Sequence, residues 1–186
     1  MISYIQDSLF YAHFALICAT GMRPGECCGL MEEDLSPSGS ITLRQGRNVH
    51  GNVTEMKTER SHRTLRLSPS MAALLFEYIR KKREVMCTCP ELFVATDFSP
   101  LRPDVLSRKI RDLQRRYNKE REEQLPEIRL YDIRHSFATN LLVSGAKSKL
   151  ISEVMGNSVN TMEHHYVHLR ETMHEEMLGD YAGQIL

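Results

Sequence analysis

The stretch Tyr131-Asp132-Ile133-Arg134-His135-Ser136-Phe137-Ala138-Thr139 places an arginine close to the start of a helix. Asp132 is a residue type that favours the N-cap position, and Gly145 is a typical helix stop. Between these two positions the apolar side chains recur at helical spacing, at Ile133, Phe137, Ala138, Leu141 and Leu142. The pattern therefore predicts a helix that buries one apolar face and carries Arg134 in its first turn.

Helical periodicity continues on both sides of this segment. Helices are predicted from about residue 5 to Gly21, from Pro24 towards residue 30, from Pro69 to about 83, from Pro103 to about 120, from 148 to 156, and from about 160 into the tail. Residues 41–44 and 63–67 alternate as strands, and the polar stretch between them suits a hairpin or a three-stranded ribbon. The predicted fold class is α+β, mainly α-helical with one small antiparallel β-sheet.

Length and composition exclude several classes of protein. The chain has 186 residues, of which 41% are apolar and 26% charged, which suits one folded domain and argues against intrinsic disorder. No run approaches 18 uncharged apolar residues, and the N-terminus lacks a secretory signal. Five cysteines, an odd number, fit a reducing compartment. We expect an intracellular globular domain.

The distribution of charge is uneven although the net charge is zero. Residues 1–35 hold one basic and five acidic side chains, residues 36–149 hold 22 basic and 13 acidic, and residues 150–186 hold one basic and six acidic. The middle of the chain is therefore basic, at +9, and both ends are acidic. Such a middle region can neutralise phosphates, although a charged stretch is more often a solvated surface.

Four features that suit phosphate chemistry follow one another along the chain. Arg23 lies at a tight turn in Thr20-Gly21-Met22-Arg23-Pro24-Gly25-Glu26, and Lys57 precedes a strand in Lys57-Thr58-Glu59-Arg60-Ser61-His62-Arg63. Arg134 comes third, and Tyr166 follows it by 32 residues in His164-His165-Tyr166-Val167-His168. Each feature alone is common, and the ordered set is specific.

This ordered set resembles the tyrosine recombinase (phage integrase) family, and the similarity covers about residues 10–170. The resemblance implies the catalytic-domain fold of that family, with residues 1–186 as a single catalytic domain from which the N-terminal DNA-clamping domain is absent. It implies site-specific DNA recombination, for integration or excision of a mobile element, through a 3′-phosphotyrosine intermediate. It also implies that the enzyme needs no metal, no other cofactor and no ATP.

The chemistry of phosphodiester transfer fits these residue types. The reaction needs a nucleophile, stabilisation of the non-bridging oxygens, and a proton for the leaving oxygen. Arg23 and Arg134 supply permanently charged planar forks that match a phosphate. By resemblance, Lys57 protonates the departing 5′ oxygen and Tyr166 attacks the phosphorus.

Two positions depart from the family pattern. Tyr131 stands at the first place of the His-x-x-Arg motif, and Asn157 stands where a His or Trp usually follows the glycine. Tyr131 can hydrogen-bond a phosphate oxygen, but a phenol whose pKa is near about 10 is a poor base at neutral pH. Asn157 can donate a hydrogen bond to the phosphate without adding charge. Both stay in the predicted site, which comprises Arg23, Lys57, Tyr131, Arg134, Asn157 and Tyr166.

The main alternative function is a non-catalytic DNA-binding protein of recombinase descent. A second alternative, a metal-dependent nuclease, would use the histidines at 164, 165 and 168, but their spacing and that of the cysteines match no common metal motif. His135 points about 100° away from Arg134 around the helix, which favours a structural role. The basic helix 103–121 is either a contact to the DNA backbone or a solvated face.

The expected partners are double-stranded DNA and other recombinase protomers. By resemblance, the acidic tail 170–186 packs against a neighbouring protomer, a tetramer forms on DNA, and the isolated domain is a monomer. We expect a bacterial, phage or mobile-element protein that acts in the cytoplasm at the nucleoid, and no membrane partner.

Overall fold

The structure, a computed structural model, describes residues 9–56, 58–122 and 124–160. The α-helices within these ranges are α1 (Tyr11–Thr20), α2 (Pro24–Cys28), α3 (Pro69–Glu84), α4 (Pro103–Lys119), α5 (Leu130–Val143) and α6 (Ser148–Met155). Each of α2, α3 and α4 begins with a proline, whose fixed φ suits the first helical position. None of the described helices is long and apolar enough to cross a membrane. The predicted mainly helical architecture is confirmed.

The strands form two antiparallel pairs: β1 (Ser40–Leu43), β2 (Gln45–Arg47), β3 (Val53–Glu55) and β4 (Arg63–Arg66). Strand β1 pairs with β4, so that Ile41 lies opposite Leu65. Strands β2 and β3 form the hairpin that the polar stretch between the two predicted strands suggested. The alternation of β1 points Ile41 and Leu43 into the core, where both are fully buried.

Gly21 brings the end of α1 against α5. Its φ of +61° lies in the left-handed region that favours glycine, and its backbone N–H donates to the Ile17 carbonyl at 2.8 Å. A Cβ at this position would overlap the Phe137 ring, so a side chain would push the two helices apart. The glycine therefore fixes the distance between the turn that carries Arg23 and the helix that carries Arg134.

Most of the described apolar residues form one core, and a smaller cluster lies between α5 and α6. The main core includes Leu16, Ile17, Met22, Leu43, Leu75, Phe93 and Leu106, all almost fully buried. The second cluster contains Ala138, Leu142, Ile151 and Met155. It packs α6 onto α5 and so sets where the segment after α6 meets Arg134.

The start of α5 differs from the prediction. The helix begins at Leu130, which is buried, and Arg129 is the N-cap residue. Asp132 is the third helical residue, and its Oδ2 accepts a hydrogen bond from the backbone N–H of Arg129 at 2.8 Å. The carboxylate therefore caps the helix from inside the first turn, and the predicted N-cap at Asp132 was three residues late. Arg134 lies at the start of the second turn instead of in the first.

Candidate active site

Arg23 lies in the short connection between α1 and α2, where its extended backbone precedes Pro24. Its Nη1 donates to Oε1 of Glu26 at 2.6 Å, and its backbone N–H donates to Oε2 of the same carboxylate at 2.8 Å. One third of the Arg23 side chain stays exposed. The guanidinium is thus held on one side and open to a ligand on the other.

Arg134 reaches the same place from α5 and is only 5% exposed. Its Nη1 donates to the Gly21 carbonyl at 2.5 Å, and its Nη2 donates to the Met155 carbonyl at 2.8 Å. Burial, followed by the positive charge of Arg23, lowers the pKa of Arg134 to about 10. The side chain is still cationic at neutral pH, and its position depends on both α1 and α6.

Asn157 joins the two arginines. Its Oδ1 accepts from Nη2 of Arg23 at 2.7 Å and from Nη2 of Arg134 at 3.0 Å. The residue follows Gly156, the left-handed end of α6, whose carbonyl accepts a longer bond from Arg23 at 3.4 Å. Three segments far apart in the sequence therefore meet at one oxygen atom, and we call Arg23, Arg134 and Asn157 the arginine clamp.

Glu26 and Arg63 support the clamp, and neither of them is among the predicted site residues. Arg63, on β4, pairs its Nη2 with Oε2 of Glu26 at 2.9 Å, and its Nε donates to the Val154 carbonyl at 2.6 Å. Both side chains of this ion pair are almost fully buried. The sequence signals were the acidic residue three positions after Arg23, which is the spacing of a capping box, and the place of Arg63 at the end of the Lys57–Arg63 motif.

The clamp and its support carry a net positive charge. Burial raises the pKa of Glu26, but the hydrogen bonds and charges of Arg63 and Arg23 outweigh burial and leave that pKa below its ordinary value. Glu26 is therefore ionised at neutral pH, and three guanidinium groups face one carboxylate. The excess of two positive charges makes the site attractive to an anion such as a phosphodiester.

Of the other predicted site residues, the structure describes only Tyr131. Tyr131 lies in the first turn of α5 and is 56% exposed, three residues before Arg134 and on the same side of the helix. Lys57 and Tyr166 lie outside the described residues, as do the three histidines near Tyr166. The described geometry thus unites Arg23, Arg134 and Asn157, with Tyr131 beside them.

A surface cavity of about 440 Å³ opens next to the clamp. Asn157 and Arg63 contribute to its wall, and Arg60, His62 and Lys149 add further polar and basic groups. Arg60, His62 and Lys149 are exposed. A strand of nucleic acid that reaches the clamp would pass these exposed polar and basic side chains.

Comparison with known proteins agrees with this geometry. The family model of the phage integrase family matches residues 3–173. The chain belongs to the phage integrase family. Among relatives, the tyrosine recombinase XerC of Bacillus licheniformis is 29% identical, and the match covers 83% of this chain and 47% of that protein. The ICEBs1 integrase of Bacillus subtilis is also 29% identical, with 92% of this chain and 48% of the relative covered.

The fold of this integrase-family chain is also found in solved structures. The Tn1549 transposon integrase in complex with transposon right end DNA is similar with a TM-score of 0.79 at 24% sequence identity. That similarity covers 89% of this chain and 57% of the solved chain. The chain spans about half the length of the curated relatives it matches. Membership of the family and the catalytic-domain fold are thereby confirmed.

Proposed function

We propose that this chain is the catalytic part of a site-specific DNA recombinase that cleaves and rejoins strands through a 3′-phosphotyrosine. The observation that carries the proposal is the convergence of Arg23 and Arg134 on one oxygen, in a site with an excess of positive charge. Two guanidinium forks that share one acceptor suit the two non-bridging oxygens of a phosphodiester. The relatives named above are recombinases and integrases, which supports the same reaction.

The proposed reaction divides the work among residues of the site. The phenolic oxygen of Tyr166 attacks the phosphorus and the bond from phosphorus to the 5′ oxygen breaks, which leaves a 3′-phosphotyrosyl enzyme. Lys57 gives its proton to the departing 5′ oxygen. Arg23 and Arg134 stabilise the charge that develops on the non-bridging oxygens. A 5′ hydroxyl of another strand then attacks the phosphotyrosine and releases the tyrosine, so the bond is resealed without ATP.

Tyr131 takes part in this proposal as a hydrogen-bonding group. Its exposure leaves the phenol free to approach a phosphate oxygen at the edge of the clamp. We assign the proton that leaves Tyr166 to solvent water, because a phenol such as Tyr131 is a poor base near neutral pH. We therefore assign Tyr131 to phosphate contact and assign it no proton transfer.

The basic surface of α4 suits the DNA backbone. The basic side chains of this helix are Arg108, Lys109, Arg111, Arg115, Arg116 and Lys119, and all except Lys109 are clearly exposed. Arg108 and Arg115 each pair with an aspartate one turn earlier on the same helix, at 3.0 Å and 3.8 Å. Such exposed pairs are weak, so these arginines stay available to phosphates. On DNA we expect assembly of several protomers, a tetramer in the complete reaction, with the isolated chain a monomer.

A suicide substrate tests the proposed function. In a duplex nicked close to the cleavage point, the attack releases a short fragment that carries the new 5′ hydroxyl. This fragment diffuses away, so resealing fails and the covalent complex accumulates. We expect the parent to form a denaturation-resistant complex with DNA in the presence of a chelator, and Tyr166→Phe to bind DNA without forming it.

The same measurement distinguishes the proposed recombinase from a second candidate, a DNA-binding protein without catalysis. That candidate gains some support from Asn157, whose carbonyl oxygen already engages both arginines. A parent protein that binds the nicked duplex with normal affinity but never becomes attached would establish the non-catalytic function instead.

A further inference from the structure

The side-chain amide of Asn157 points its oxygen towards Arg23 and Arg134. Two donors, Nη2 of Arg23 and Nη2 of Arg134, lie within 3.0 Å of Oδ1. A guanidinium has donors only, so the group that faces two of them must be the carbonyl oxygen, which has two lone pairs. The arginines themselves therefore set the orientation of this amide.

The backbone holds this oxygen in a fixed place. The N–H of Asn157 donates to the Ser152 carbonyl at 2.9 Å, which closes the end of α6 behind Gly156. Arg63 fixes the same helix end through the Val154 carbonyl. The acceptor is thus tied to α6 and to β4 before any ligand arrives.

A shared acceptor solves an electrostatic problem at the clamp. Arg23 and Arg134 carry like charges side by side, and Arg134 is buried, so repulsion opposes the arrangement that a phosphate needs. An oxygen with partial negative charge between the two Nη2 atoms offsets part of this repulsion. Tryptophan has no acceptor and neutral histidine has one lone pair, so neither ring can accept from both arginines.

On this basis, and resting on the proposed function, we propose that Asn157 is a positioning residue: it accepts a hydrogen bond from each clamp arginine and holds both guanidinium groups ready for the phosphate. This differs from donation of a hydrogen bond to the phosphate, which is the role that the sequence suggested. Where the family pattern has the ring of a His or Trp, this chain has an amide that accepts hydrogen bonds. That acceptor preorganises the two arginines.

Titration of Arg134 tests this role directly in the full chain without DNA. The 13Cζ signal of Arg134, identified by its loss in Arg134→Lys, is followed from about pH 8 to about pH 12. The charged groups that act on Arg134 are Arg23, Glu26, Arg63 and Tyr131. They are unchanged in Asn157→Leu and Asn157→Asp, which keep the approximate size of the side chain.

The two variants should move the pKa of Arg134 in opposite directions. Leucine removes the acceptor, so the pKa should fall below that of the parent, whereas aspartate supplies a charged acceptor, so the pKa should rise. Asn140→Leu, a change at an exposed position of α5, is the matched control and should leave the pKa unchanged. An Arg134 pKa that is equal in the parent and both variants, or that moves in one direction only, overturns the proposal.

The rate of DNA cleavage provides a second test of the role of Asn157. At saturating suicide substrate, Asn157→Leu should cleave about tenfold to a hundredfold more slowly than the parent, with DNA affinity within about twofold. Parental cleavage by Asn157→Leu would also overturn the positioning role. A parent that forms no covalent complex would contradict the proposed function, while the titration of Arg134 would still decide the role of Asn157.

Discussion

Glu26 is a buried carboxylate that contacts two arginines, one of the clamp and one of the sheet. It is 4% exposed, and Arg63 beside it is equally enclosed. Removal of one partner of a buried ion pair leaves the other charge without compensation. The resulting loss of stability is larger than the stability that the intact pair contributes. The clamp geometry and the stability of the fold therefore depend on the same carboxylate.

Glu26→Gln should lower the free energy of unfolding by about 3 kcal/mol at pH 7. The pKa of Glu26 is below its ordinary value of 4.5 in the folded protein, so its contribution is complete above that value and is lost as the pH falls through the folded pKa. The difference between parent and variant in urea unfolding should therefore shrink on acidification. Glu77→Gln, at an exposed pair with Arg80, is the control and should change the free energy of unfolding far less, because exposed ion pairs are weak. A constant difference between pH 7 and about pH 3 would contradict the assignment.

His13 is a buried imidazole in an aromatic cluster. Its ring stacks on Phe93 at 4.1 Å between centroids, with Phe10 and Tyr78 also in contact. Within the described structure neither ring nitrogen has a hydrogen-bond partner. Burial lowers the pKa of His13 to about 3, so the folded protein holds the ring neutral.

His13→Phe should raise the free energy of unfolding at pH 7 by about 1 kcal/mol, because it removes an unsatisfied buried polar group. The unfolded chain binds a proton at His13 below its ordinary pKa of 6.5, whereas the folded chain does so only near 3. As the pH falls from 6.5 to about 3, the free energy of unfolding of the parent should therefore decline. The advantage in stability of His13→Phe should grow over the same range. Urea unfolding of both proteins at pH 7 and about pH 5 measures this. An advantage that stays constant would show that His13 is not neutral in the fold.

At the level of elements, the end of α6 determines where Asn157 meets the arginines. Gly156 has a φ of +65°, and a Cβ there would lie 2.6 Å from Nη1 of Arg63. The glycine is thus required both by its backbone conformation and by the approach of Arg63. Gly145, which follows α5, has a φ of +86°, and a Cβ there would meet none of the described atoms within 4 Å, so only the conformational requirement applies.

Gly156→Ala and Gly145→Ala separate these two requirements. Both variants should lose about 1 kcal/mol of stability, because alanine is strained at positive φ. Only Gly156→Ala should also slow cleavage of the suicide substrate, by about tenfold or more, since displacement of Arg63 shifts the acceptor of the clamp. Single-turnover cleavage and thermal unfolding of the pair give the comparison. Equal cleavage rates in the two variants would contradict the role of the close approach.

The elements that local chemistry determines were predictable, and those that depend on tertiary pairing were not. The stops at Gly21, Gly145 and Gly156 followed from the residue type, and each glycine has a positive φ. The start of α5 was misplaced because burial of Leu130, which the sequence does not reveal, extends the helix towards Arg129. In the site, the ordered motif predicted both arginines of the clamp. The pairing of Glu26 with Arg63, 37 residues apart, instead depends on tertiary contacts such as the packing of β4 against α6.

For the whole molecule, the uneven charge distribution has a measurable consequence. The basic side chains between residues 36 and 149 exceed the acidic ones by nine, although the net charge of the chain is zero. If the chain binds DNA as proposed, contact of this region with phosphates releases counterions, with a slope of about −0.9 in log affinity against log salt for each phosphate neutralised. We expect a steep salt dependence of DNA binding. A flat response would mean that the basic face of α4 is only solvated.

The identity of the residue that becomes bonded to DNA tests the proposed reaction most directly. After trapping with the suicide substrate, nuclease trimming and proteolysis leave a nucleotide on one peptide, which mass spectrometry can assign. We expect the adduct on Tyr166 in the parent and no adduct in Tyr166→Phe. An adduct on Tyr131, the exposed phenol beside the clamp, or an adduct that survives in Tyr166→Phe, would contradict the proposed reaction.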